Sequence, residues 1–259
     1  MEKVHFTMGE YLNENASKNE LSLVQRLYQL SETDGKRLLG EEKAIFPSVF
    51  MRRQELSYIL ANYEIFKQIQ DVKGSIFYFG VYYGEGFMTY ANLCAALEPF
   101  NHSRQIIGFD TFDGYPEVTA NDVNPQLEYR TMHAGGWASN FYDVLNELIE
   151  IYDSNRPISQ LTKAKLVKGD VNVTLPDYIE KNPHSVASLV VLTMNLYEPT
   201  KNALSLLWPR MPKGGIVVMH SIDQHITPGI TAALLDTIGI NHEIKIFPYA
   251  PNLAYIIKR

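Results

Sequence analysis

From Ser75 onward, short runs in which nearly every residue is apolar alternate with longer segments in which apolar residues recur three and four places apart. Runs of the first kind predict parallel strands buried on both faces, and segments of the second kind predict amphipathic helices. Five such strands follow one another: Ser75 to Val81, Gln105 to Asp110, Leu166 to Asp170, Ser188 to Leu192 and Gly214 to His220. Helical patterns lie at Phe87 to Leu97, Phe141 to Tyr152, Pro176 to Glu180, Pro199 to Met211 and Pro228 to Ile238. The clearest stripe is Phe141, Val144, Leu145, Leu148, Ile149 and Tyr152, whose part is packing. Strand and helix alternating in this way predict a doubly wound parallel sheet. The last two strands, His242 to Phe247 and Leu253 to Lys258, are joined only by Pro248 to Asn252, too short for a crossover, so they pair antiparallel. The expected class is therefore α/β and Rossmann-like, with a seven-stranded, mostly parallel sheet ending in an antiparallel hairpin.

Residues 1–50 are more polar, with one helical patch at Leu21 to Leu30. They read as an N-terminal helical arm that either covers a cleft or makes oligomer contacts. Residues 51–259 read as the main domain, led by a helix carrying Leu56, Ile59, Leu60, Tyr63, Phe66 and Ile69. A hydrophobic content of 46% over 259 residues suits one packed core. The net charge of −6, with no run of Lys or Arg, argues against nucleic acid and for a small-molecule partner. Cys94 is the only cysteine, so neither an intrachain disulfide nor a cysteine zinc cluster can form, as expected of the reducing cytoplasm. The chain shows no secretory leader pattern and no apolar stretch of membrane-spanning length. The Asn-x-Ser/Thr triplets at Asn15, Asn101 and Asn172 are accordingly read as chance occurrences.

The candidate chemistry begins where the first strand turns into its helix. Gly80-Val81-Tyr82-Tyr83-Gly84-Glu85-Gly86 is a turn in which missing side chains let a ligand approach backbone N–H groups at a helix start. Its G-x-x-x-G-x-G spacing departs from the G-x-G-x-x-G of a dinucleotide binder, which argues against NAD. Asp110, ending the second strand ahead of Thr111, stands where a carboxylate accepts both hydroxyls of a ribose; the alternative is a cap or surface acid. Gly169-Asp170 at the third strand's tip either faces an adenine amino group or forms a plain turn. With the terminal hairpin, this order of features is that of a class I methyltransferase binding S-adenosylmethionine at the carboxyl edge of the sheet.

Over roughly residues 50–259 the chain also resembles the macrocin O-methyltransferase-like family of sugar O-methyltransferases. The resemblance rests on Tyr63-Glu-Ile-Phe66, the Gly80 to Gly86 turn, Asn101-His102, Ile106-Ile-Gly-Phe-Asp-Thr-Phe-Asp-Gly-Tyr-Pro116, Lys168-Gly-Asp170, Leu196-Tyr-Glu-Pro-Thr-Lys201 and Pro209-Arg-Met-Pro-Lys-Gly-Gly215. It implies that the glycine turn, Asp110 and Asp170 hold S-adenosylmethionine, and that the protein is a homo-oligomer, a dimer or larger. In the family, an acid-x-acid at the fourth strand's tip and two adjacent acids at the fifth bind magnesium. This chain departs from that pattern, with Thr193 and Asn195 at the first tip and His220 and Ser221 at the second.

Neutral hydroxyls and amides do not supply the charge magnesium asks of its ligands, so no catalytic magnesium is expected. A softer metal on His220 with Asp223 or His225 lacks a crowded ligand set. Methyl transfer from a sulfonium runs on alignment and exclusion of water, which leaves the acceptor's proton to a protein base. His220, with an ordinary pKa of about 6.5, is the candidate base; the competing reading is a histidine that only bonds a strand-end neighbour. Asn195 and Tyr197 are expected to position the acceptor, whereas Glu198 reads as the start of a helix. His133, Gly135, Gly136 and Trp137 are expected to fold over the cofactor as a lid. Met88, Met132 and Met194 are read as core fillers. The leading expectation is metal-independent O-methylation of a sugar, nucleotide sugar or glycosylated natural product. A non-sugar acceptor, an inactive methyltransferase-like partner protein and an NAD-dependent oxidoreductase are the alternatives.

Overall fold

A computed structural model of the chain describes residues 18–44, 46–126 and 132–259; the Asn15 triplet lies outside them. The chain divides into two compact units, Met1–Tyr58 and Ile59–Arg259. The division falls inside helix α3 (Arg53–Ile69) rather than at residue 50.

The first unit contains α1 (Lys18–Leu30), a π-type turn at Ser31–Gly35, α2 (Lys36–Leu39) and 3-10 turns at Gly40–Ala44 and Pro47–Val49. Only α1 was predicted, because turns of three to five residues are too short to show a helical period. Gly35 lies against the Phe50 ring, where a Cβ would come within 2.6 Å. Arg52 pairs with Glu55 and lies 5.9 Å over the Tyr28 ring.

The second unit is built on seven strands: β1 (Ser75–Phe79), β2 (Ile106–Asp110), β3 (Ala164–Lys168), β4 (Ala187–Leu192), β5 (Ile216–His220), β6 (Ile244–Phe247) and β7 (Ala250–Ile257). Their order is β3-β2-β1-β4-β5-β7-β6. The pairs β1–β2, β1–β4, β2–β3 and β4–β5 are parallel, while β7 runs antiparallel to both β5 and β6. The order reverses between β1 and β4, so the tips of those strands border the crevice where ligands bind in such sheets. Predicted and observed strands differ by a few residues. Gly169, predicted inside β3, has φ 135° and leaves the strand; the turn before β7 is shorter than Pro248 to Asn252, because β7 starts at Ala250.

Helices α4 (Glu85–Leu97), α5 (Tyr142–Ser154), α6 (Val171–Lys181), α7 (Tyr197–Leu207) and α8 (Gly229–Asp236) follow β1 to β5 in turn. All six residues of β4 are buried, as a strand covered on both faces requires. Phe77 and Phe79 of β1 stack on Phe109 of β2 at 6.4 and 5.0 Å, with Tyr178 of α6 edge-on to Phe77 and Phe109. Such ring pairs add about 0.5–1.5 kcal/mol each beyond the area they bury. On α5 the buried apolar residues are Leu145, Ile149 and Tyr152, whereas Val144 and Leu148, expected to pack, remain 47% and 42% exposed. At the opposite end of the sheet from the strand tips, buried Arg104 pairs with Glu98 and donates to the carbonyls of Ile69, Val72 and Gly74. Among the described residues no helix is long and apolar enough to cross a membrane.

Candidate active site

The glycine turn leaves β1 through Gly80 (φ 86°), Tyr82 (φ 55°) and Gly84 (φ 90°), the last being the N-cap of α4. A positive φ at Gly84 closes the turn tightly, with Gly84 N–H bonded to the Val81 carbonyl at 2.8 Å. The helix therefore starts with its first N–H groups at the strand edge, a position that favours an anionic ligand group. The glycines also make room for neighbouring side chains. A Cβ at Gly80 would strike the Thr193 hydroxyl, one at Gly84 would lie 2.7 Å from Leu145, and one at Gly86 would strike the Tyr78 hydroxyl. Each space that a side chain would occupy is filled by the protein's own atoms.

Asp110 ends β2 directly beside this turn. Its Oδ2 accepts the Tyr82 N–H at 2.8 Å and its Oδ1 accepts the Phe112 N–H at 2.6 Å. Burial raises its pKa above the ordinary carboxylate value, opposed by backbone N–H groups of Tyr82, Phe112 and Val81. Three N–H groups on two oxygens, each of which can accept two hydrogen bonds, leave the carboxylate able to accept again, so a partly buried carboxylate with a hydroxyl donor in front of it is a geometry these residues fit. Val81 itself is buried, and Thr111 Oγ1 donates to the Gly114 carbonyl at 2.6 Å, which shapes the loop. Asp170 is the N-cap of α6, accepting the Asn172 N–H at 2.9 Å. This cap is neither of the two roles expected of it from sequence, and Gly169, with φ 135°, provides the bend that delivers it.

The segment after β2 folds back over the glycine turn. Trp137 lies edge-on to Tyr82 at 5.4 Å, Phe141 lies edge-on to Tyr83 at 5.5 Å, and Ser139 Oγ donates to the Tyr82 carbonyl at 3.2 Å. Tyr115 ties the two limbs of this loop together, since its N–H donates to Gly136 O at 2.9 Å and its carbonyl accepts from Gly135 N–H at 2.8 Å. The exposed His133 ring is 2.8 Å from the Ala134 carbonyl. Met132 and Met194 are buried, and Met88 is partly so.

At the β4 tip, Thr193 Oγ1 turns back to bond the carbonyls of Phe79 and Gly80 at 2.8 and 2.7 Å. Asn195 has φ 60° and its Nδ2 donates to the Tyr115 hydroxyl at 3.1 Å. The Tyr197 hydroxyl donates to Asp236 at 2.6 Å and accepts from Lys201 at 2.8 Å, which joins α7 to α8. At the β5 tip, His220 is 7% exposed, and burial pushes its pKa down to about 4 instead of leaving it near 6.5. The imidazole is therefore neutral at pH 7, with a nitrogen able to accept a hydrogen bond, yet it is a weaker base than its unperturbed pKa implied. Ser221 and Asp223 beyond it have φ 62° and 59°.

A hydroxyl engaged by two carbonyls, an amide engaged by a phenol and a buried neutral imidazole do not suit magnesium, whose sites are built on carboxylate oxygens. Among the described residues, no three His, Cys, Asp or Glu side chains gather to hold a metal ion. Burial pushes the Cys94 thiol pKa up, so the lone cysteine is not a nucleophile. Sequence reasoning missed Tyr115 and the buried Asp122. A Thr119-x-x-Asp122 spacing, typical of a self-bonded turn, was the one available sign of the latter.

A sheet in this order, with a strand-end acid beside a helix-starting turn, is that of a Rossmann-like methyltransferase. The model of the macrocin-O-methyltransferase (TylF) family matches residues 12–244, and the chain belongs to that family. It is an O-methyltransferase whose methyl donor is S-adenosylmethionine. The crystal structure of CalS11, a calicheamicin methyltransferase, is 31% identical with a TM-score of 0.87, covering 94% of each chain. An apo structure of CalS11, described as a TDP-rhamnose 3'-O-methyltransferase of calicheamicin biosynthesis, is 30% identical with a TM-score of 0.79, covering 94% of this chain and 96% of that one. The O-methyltransferase NovP, 17% identical with a TM-score of 0.59 over 78% of this chain and 79% of its own, shares the fold. No curated protein matches the chain.

Proposed function

We propose that this enzyme methylates a hydroxyl of a sugar, either as a nucleotide sugar or on a glycosylated natural product, without a catalytic metal. The observation that carries the reading is the likeness to CalS11, which extends along 94% of the chain. In this reading the first turn of α4 and the Asp110 carboxylate hold the donor, with Gly80, Val81, Tyr82, Gly84 and Gly86 forming the turn and Thr111, Gly169 and Asp170 shaping the neighbouring loops. Bound there, S-adenosylmethionine supplies a methyl group on a positively charged sulfur. Trp137 and Tyr82 exclude water from the turn, and Asn195, oriented by Tyr115, presents its amide to the acceptor.

His220 stands at the adjoining strand tip as a neutral imidazole that accepts the acceptor's hydroxyl proton as the oxygen becomes bonded to carbon. Its low pKa makes it a poor base for prior deprotonation, so proton removal accompanies methyl transfer instead of preceding it. We place the enzyme in the cytoplasm as a homo-oligomer, which light scattering of the purified chain tests directly.

The deciding experiment incubates the full chain with S-adenosylmethionine and a panel of nucleotide sugars, glycosylated natural products and non-sugar alcohols and amines, with EDTA and again with magnesium. Release of S-adenosylhomocysteine and a methylated sugar product, unchanged by EDTA, is the expected result. Turnover confined to a non-sugar acceptor overturns the sugar assignment, and turnover that requires magnesium overturns the metal-free one.

A further inference from the structure

Asp122 is 1% exposed. Its Oδ2 accepts from the Thr119 N–H at 2.7 Å and the Thr119 hydroxyl at 2.8 Å, while its Oδ1 accepts from the Tyr197 N–H at 2.5 Å. The carboxylate thus closes a turn in the loop after β2 and, with the same group, satisfies the first residue of α7. The first residue of α8 closes on the same place. A Cβ on Gly229 would lie 2.6 Å from Asp122 Oδ1, 2.7 Å from the Asn195 carbonyl and 2.8 Å from the Tyr197 nitrogen.

The β4 tip is consequently fastened at both ends. Thr193 is bonded to the end of β1, Tyr197 is bonded to Asp122, and between them Asn195 reaches Tyr115. Tyr115 in turn holds Gly135 and Gly136, the two residues that precede Trp137, whose ring packs on Tyr82 of the donor turn. We infer that Asp122 is a positioning residue for the acceptor half of the site, fixing Asn195 and Tyr115 against the donor half without touching either substrate. The inference rests on the reading above only in taking the β4 and β5 tips as the acceptor cleft.

The test is Asp122→Asn in the full chain. An amide of the same shape serves Tyr197 or Thr119 but sets an N–H₂ against the other donor. Amide hydrogen exchange is followed in the unliganded protein, together with S-adenosylhomocysteine affinity and the acceptor's KM and kcat. Protection is expected to fall at residues 119–122 and 195–198 while the Gly80 to Gly86 turn stays protected. Acceptor KM is expected to rise about tenfold, a loss of the size one charged hydrogen bond carries, with donor affinity and kcat within about twofold. Thr119→Ala, which removes one of the three donors, should show the same split at smaller amplitude, and it decides the matter if Asp122→Asn does not fold.

Unchanged exchange at residues 195–198, loss of protection that spreads to the glycine turn, or equal losses in donor and acceptor binding would each overturn the inference. If the enzyme turns over only a non-sugar acceptor, the sugar reading fails alone, because the exchange pattern and the KM split are read with whichever acceptor is methylated.

Discussion

The Tyr82 N–H donates a 2.8 Å hydrogen bond to Asp110 Oδ2, so the glycine turn after β1 and the acid that ends β2 form one rigid piece. Any group that Asp110 holds is therefore registered against the start of α4. Replacing Asp110 with Ala leaves the Tyr82 and Phe112 N–H groups without their acceptor. It should lower stability by about 1–3 kcal/mol and weaken S-adenosylhomocysteine about 10- to 100-fold, as expected for loss of a charged hydrogen-bond acceptor. Urea unfolding and titration calorimetry check the two effects separately.

His220 makes stability depend on pH. Its folded-state pKa, about 4, lies below the unfolded value of about 6.5, so the unfolded chain takes up the proton first. The stabilisation is complete above pH 6.5 and is lost as pH falls towards 4. Relative to His220→Gln, the wild-type chain should lose on the order of 3 kcal/mol across that window and run parallel to the variant above it. Urea melts of both chains at a series of pH values measure the difference, and the activity profile should show no limb near pH 6.5 that His220→Gln removes.

The chain has two tryptophans, Trp137 against Tyr82 and Trp208 beside His242. Adding S-adenosylhomocysteine should change tryptophan fluorescence through Trp137 alone. Trp137→Phe is expected to abolish the change and Trp208→Phe to preserve it; a signal surviving in Trp137→Phe would place the donor elsewhere.

Gly229→Ala inserts a methyl that would lie 2.6–2.8 Å from atoms of Asp122, Asn195 and Tyr197. Overpacking of this kind costs about 1–3 kcal/mol, seen as a lower urea midpoint, and steady-state kinetics should show a higher acceptor KM with donor affinity nearly unchanged.

The sheet was legible because its signal is one-dimensional. Residues such as Val190 and Val191 are apolar on both faces of β4, and a strand buried on both sides permits nothing else. The hairpin followed from chain length alone. Asp110 was legible too, as an acid at a strand end after a glycine turn. What stayed hidden was every role set by a distant partner. The bond from the Tyr197 hydroxyl to Asp236, far along the chain, could not be read from the residues around Tyr197. His220 looked like an ordinary base because burial is not written in the local sequence. Val144 and Leu148 fit the α5 stripe by spacing, although the wheel does not say how much of a stripe the core will cover.

The Thr193 hydroxyl also limits which residues the β4 tip can carry. An aspartate at that position would set carboxylate oxygens against the Phe79 and Gly80 carbonyls that now accept its hydrogen bonds. A side chain on Gly80 would in turn strike the Thr193 hydroxyl. The two positions therefore constrain each other: the end of β1 disfavours a charge at the β4 tip, and the β4 tip disfavours anything but glycine at the end of β1.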